Sequence, residues 1–189
     1  MLSDHQLHKA ALSGLVQPYK KACLQPCSID LTLGSGLLIE DYGRTQNNRR
    51  SGAIWNEHDL DFIFYDLAPG EFVLAHTAEI IQMPPNMVGD LVLRSSAARM
   101  GFDHCLSGLI DPGFEGQLTL ELRNNLRFGT LRLEAGMRIA QLTVDLLDMP
   151  PKATYEQTGW YQGQMGATKS NGRVLSKHCV ARNQIPTCS

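Results

Sequence analysis

A mainly β fold, closed as a barrel or stacked as a sandwich, is what this sequence predicts, and three observations predict it. Short segments of period-two alternation recur through the middle of the chain, and Pro, Gly, Asn and Asp clusters separate them. Over 189 residues, 43% apolar and 19% charged side chains suit one domain with a buried core. In order along the chain, Ser3 and Asp4 cap a short helix through Leu7, Ala10, Ala11 and Leu15, with Gly14 near its end. The segment Cys27 to Leu33 then alternates as a half-buried strand does. Residues 41 to 60, with Asn47-Asn48 and Arg49-Arg50, read as an exposed loop. Further strands are expected over 71–76, 89–93, 116–123, 129–133 and 138–147, between turn signals such as Pro84-Pro85-Asn86 and Asp111-Pro112-Gly113. A second short helix, near 94–100, interrupts them. From Tyr155 onward the glycines and polar residues suggest an extended tail with little core of its own.

Composition narrows the function classes. A formal charge of −2 offers no basic footprint for gripping nucleic acid. The five cysteines, Cys23, Cys27, Cys105, Cys179 and Cys188, are odd in number and scattered, which argues against a disulfide framework and for the reducing cytoplasm. The first residues lack a basic and apolar export signal, and no apolar stretch approaches the roughly 18 residues of a membrane span. Neither a membrane nor nucleic acid is therefore an expected partner.

Four stretches carry groups suited to chemistry. Arg94-Ser95-Ser96-Ala97-Ala98-Arg99 sets serines and helix-start N–H groups where phosphate oxygens would bind, with Ser95 and Arg99 on one face. Alone, it is also what a capped turn with two solvated arginines looks like. Gly108 to Gly116 forms a Pro- and Gly-rich hairpin turn around Asp111, which an Asp could cap with no further role. Gln117 to Arg123 alternates strictly, so the leucines share one face and Thr119, Glu121 and Arg123 the other. Glu121 is then either a solvated strand residue or a carboxylate delivered to a bound base. Trp160 to Gly166 reads as a lid or as a disordered tail. No His-x-Glu with Pro-Cys-x-x-Cys is present, so the zinc route to deamination lacks its ligands, and no Walker-type phosphate loop occurs. No metal-ligand spacing links the histidines.

In this order, the segments PCSIDLTLG at 26–34, APGEFVLAHTAEII at 68–81, RSSAAR at 94–99, GLIDPGFEGQLTLELRN at 108–124 and YQGQMGATKS at 161–170 resemble the dCTP deaminase family. The resemblance runs from Leu2 to about Ser170. It implies one nucleotide-binding domain over residues 1–170, with the distorted β-barrel of the dUTPase-like superfamily, and a tail over 171–189 of no assigned role. It implies a cytoplasmic homotrimer with sites between subunits and Mg2+ bound only through the substrate triphosphate. By position, Glu121 falls on the catalytic acid and base, Ser95 and Arg99 on the groups that orient water and stabilise charge, and Arg94 and Ser96 on phosphate contacts. Asp111 falls on the sugar contact, Thr119 and Leu120 on the base-recognition strand, and Gln141, Tyr155 and Gln164 on further nucleotide contacts. The implied reaction is hydrolysis of dCTP to dUTP and ammonia. The alternatives are a bifunctional enzyme that continues to dUMP and diphosphate, a dUTPase, and a non-catalytic nucleotide-binding regulator. Trp160 stands where the deaminases usually carry a lysine, and Leu106-Ser107 where a Thr-Ala pair is common.

Overall fold

The computed structural model of the chain describes residues 1–46, 53–60, 64–105 and 108–171. Residues 47–52, 61–63, 106–107 and 172–189, and with them part of the stretch expected as an exposed loop and nearly all of the tail without an assigned role, lie outside the described residues. Helix α1 (Asp4–Leu12) opens on a capping box, in which Ser3 N–H donates to Gln6 Oε1 at 3.0 Å and Gln6 N–H to the Ser3 side chain; Leu7 N–H donates to Ser3 O at 2.8 Å as the first helical bond. It buries Leu7 and Ala11 and stops before Gly14, so Leu15, expected on the helix, enters the core from outside it.

Twelve strands follow in the described residues: β1 (Val16–Gln17), β2 (Ile29–Thr32), β3 (Gly36–Glu40), β4 (Trp55–Asp59), β5 (Tyr65–Leu67), β6 (Phe72–Gln82), β7 (Met87–Leu93), β8 (Phe102–His104), β9 (Leu109–Ile110), β10 (Glu115–Asn124), β11 (Leu131–Leu133) and β12 (Arg138–Leu146). One sheet runs β4-β3-β6-β10-β8 with β1 also on β6, a second runs β2-β12-β7-β9, and β11 with β5 forms a ribbon. The mainly β class is as expected, and sheets that stay unclosed among the described residues fit the distorted form of the expected barrel. Short helices α2 (Tyr42–Gln46), α3 (Ser95–Met100) and α4 (Tyr155–Thr158) sit between or after the strands. α3 matches the helical turn expected over 94–100; Ala97 anchors it, and Gly101, at φ 112, ends it in the left-handed conformation that favours glycine.

Three expectations are corrected. The stretch 41–60 is not simply a loop, because β4 pairs along all of β3, from Gly36 opposite Asp59 to Glu40 opposite Trp55. The strand expected over 71–76 continues to Gln82, because β10 and β1 pair along it. β2 is buried at every position, not on alternate ones. Its polar side chains are satisfied inside: Thr32 N–H and Oγ1 donate to the buried Glu79 carboxylate at 2.9 and 2.7 Å. No helix among the described residues is long and apolar enough to cross a membrane.

Candidate active site

β10 is the strand on which the site is built. Its leucines, Leu118, Leu120 and Leu122, are buried, as the alternation predicts. Thr119 and Glu121 open instead into a cavity of about 610 Å3, within the range of small-molecule sites. Across the sheet the register sets Leu74 opposite Glu121 and Phe72 opposite Arg123. Phe72 meets Trp55 of β4 edge-on at 5.9 Å, so one end of the cavity is walled by aromatic and aliphatic groups. Asp111, in the turn between β9 and β10, stands at another part of the rim.

The electrostatics concentrate on Glu121. Its Oε2 is buried without a hydrogen-bond partner, and so is Nε2 of His104, 3.6 Å away. That separation allows a loose ion pair but is too long for a hydrogen bond. Burial pushes the Glu121 carboxyl up from its ordinary value and the His104 imidazole down, both towards the neutral form. Ionic attraction is therefore not what holds the pair together. A half-buried carboxyl that lines a cavity and keeps an unbonded oxygen is equipped to hold and move a proton.

The tail completes the wall. Tyr155, at the start of α4, packs edge-on against Phe114 at 5.5 Å and accepts a hydrogen bond at its hydroxyl from Tyr161 N–H at 3.3 Å. Burial raises its phenol above the ordinary value. Beyond it, residues 161–170 run back along β10. Gln164 and Thr168 line the cavity, and Thr168 N–H donates to Thr119 Oγ1 at 3.2 Å. The stretch expected to be extended and without much core is thus packed on its own protomer.

The other sequence-predicted residues lie elsewhere. Leu120 points into the core with its side chain fully enclosed. Arg94, Ser95, Ser96 and Arg99 do not line the cavity; the two serines and Arg99 are exposed on α3. Gln141 belongs with Arg94: its amide donates to Asp30 Oδ1 at 3.1 Å, and Arg94 Nε stands 3.5 Å from the same oxygen. Arg138 Nη1 is 3.6 Å from Asp30 Oδ2. The structure therefore gathers Glu121, Asp111, Thr119, Tyr155 and Gln164 at one cavity, and Arg94 and Gln141 around a buried carboxylate on the other sheet. Asp30 is not a site residue by sequence reading, since alternation over Cys27 to Leu33 assigns it to solvent; His104 enters only by its spacing before Ile110 in the family resemblance.

The dCTP deaminase-like family description matches residues 1–147. A relative from Aquifex aeolicus (strain VF5), named "dCTP deaminase, dUMP-forming", is 38% identical over 175 residues, 90% of this chain and 93% of its own. One of the same name from Acidothermus cellulolyticus is 35% identical over 189 residues, 90% of this chain and 94% of its own. Among solved structures, the 2'-deoxycytidine 5'-triphosphate deaminase from Agrobacterium tumefaciens superposes with a TM-score of 0.61 at 19% identity over 77% of this chain. This chain spans 48% of that longer one, and the likeness concerns the fold.

Proposed function

This chain belongs to the dCTP deaminase-like family, and from that premise we propose that it is a hydrolase that deaminates dCTP and carries the product on to dUMP and diphosphate. The observation that carries the reading is Glu121, whose carboxyl lines a cavity of nucleoside size, has a raised pKa and keeps one buried oxygen without a hydrogen-bond partner. Water adds to C4 of cytosine as Glu121 takes its proton. The C4–N bond then breaks and the proton leaves with ammonia, so Glu121 acts first as base and then as acid. Asp111 at the rim would meet the sugar, and Thr119 the base. The names of the relatives favour dUMP as final product over release of dUTP.

The second cluster supports an assembled site. Ser95, Arg99, Arg94 and Gln141 belong to the reaction by the family resemblance but do not line the cavity of Glu121. A second copy would bring them to it, which agrees with a homotrimer whose sites lie between subunits. Asp30 holds Arg94 and Gln141 in place for phosphate oxygens. Mg2+ would be carried on the substrate triphosphate, as the family resemblance implies. When bound there it would neutralise phosphate charge.

Incubation with dCTP and, separately, with dUTP in the presence of Mg2+, resolving ammonia and nucleotides, tests the reading. Ammonia and dUMP from dCTP, and dUMP from dUTP, are expected. Accumulation of dUTP without dUMP would reduce the reading to plain deamination, and absence of ammonia would remove it.

A further inference from the structure

Glu115, Gln117 and Thr119 of β10 all bond the tail, and of the three Gln117 makes the most of these bonds, through both its backbone and its side chain. Gln117 N–H donates to Gln164 O at 3.0 Å, and Gln117 O accepts from Gln164 Nε2 at 2.6 Å. Gln117 Oε1 accepts from Gly166 N–H at 2.6 Å, while its Nε2 donates to Ala78 O of β6 at 3.2 Å. The amide is therefore spent at both ends: one end ties it to the sheet and the other to the tail. The local irregularity of β10 makes room for this. The pairing with β6 shifts register between Gln117 and Thr119, and Leu118 N–H turns to Thr77 Oγ1 at 2.9 Å. Gly116, at φ 147, lets the tail approach; a Cβ there would stand 2.8 Å from Gln164 O. Gln117 itself does not line the cavity, whereas Gln164, Thr168 and Ser170, carried by the segment it holds, do.

We infer that Gln117 is a positioning residue for the proposed reaction, a latch that keeps the tail docked along β10 so that the cavity wall is formed before the nucleotide arrives. It touches no substrate in this role and acts through Gln164 and Gly166. The inference rests on the proposed deamination only for its kinetic consequence, not for the docking itself. Losing the latch shifts the tail towards an undocked state. A nucleotide that needs the docked tail must then recover that shift from its own binding, so apparent affinity falls by the docked fraction while saturated enzyme is unchanged.

The test is Gln117→Ala in the full-length chain, with Gln117→Met as a second variant that keeps side-chain bulk without the amide. Hydrogen exchange without nucleotide should show the 161–170 segment exchanging about five- to tenfold faster than in the parent, as loss of roughly one net hydrogen bond implies, with β12 unchanged. For dCTP, KM should rise as the inverse of the docked fraction, by less than the exchange factor, while kcat stays within about twofold. Unchanged exchange in both variants overturns the latch. A fall in kcat at constant KM also overturns it, because that pattern reports general damage. If the parent protein releases no ammonia from dCTP, the proposed reaction fails, and the exchange experiment alone decides on Gln117.

Discussion

At the residue scale, Glu121 separates a working carboxyl from an ordinary strand acid. Glu121→Gln keeps shape and alternation but removes the base. Ammonia release from dCTP should fall by at least about 10²-fold with assembly intact, and release near the parent rate would remove Glu121 from the chemistry. Its environment also makes a statement about pH. Burial raises its pKa in the folded chain, whereas in the unfolded chain it ionises in the usual glutamate range. Between those two values only the native state keeps the proton, so stability present in acid is lost as pH rises through the folded value. Glu121→Gln should therefore melt higher than the parent near pH 7 and together with it below about pH 4, in paired thermal scans. Equal melting at both pH values would show that the carboxyl carries no burial penalty. Thr119 and Glu121 were legible because a strand has period two and the leucines between them fixed the inner face. Asp30 was not, because alternation assigns an acid to solvent. Its burial depends on Arg94, Arg138 and Gln141, which are remote in sequence.

At the element scale, the long strands declared themselves and the dependent ones did not. β10 and β12 carry their own alternation. β4, with the sequence Trp-Asn-Glu-His-Asp, has no apolar face to read and is a strand because β3 pairs with it. The tail is a similar case: its glycines and amides suggest looseness, yet Gln117, Thr119 and Glu115 supply fixed partners for it. Ending the chain before Trp160 should leave the sheets folded, since among the described residues the core cluster takes no buried member from beyond that point. Activity towards dCTP should drop by about tenfold or more as Gln164 and Thr168 leave the cavity. Circular dichroism and initial rates on the same preparation check both halves. Unchanged rates would assign the tail no part in turnover.

At the scale of the whole molecule, the separation of the two residue clusters predicts assembly. Light scattering should report three chains, and a fully active single chain would contradict the shared site. A sharper measurement mixes two inactive variants, Glu121→Gln and Ser95→Ala. If each site draws Glu121 from one protomer and Ser95 from another, exchange of subunits should restore a fraction of the parent activity. Failure to recover any would place both residues in one protomer's site. Val92, Leu109 and Leu146 of the second sheet, all substantially exposed, are apolar surface such an assembly would cover. The docked tail has a consequence of another kind. Near Glu115 and Gln117 one flank of β10 has its main-chain groups paired by residues 162–164. Stripped of that cover, the flank would present free N–H and C=O groups as a template for a foreign strand. The segment that shapes the cavity thus also guards the protein against aggregation.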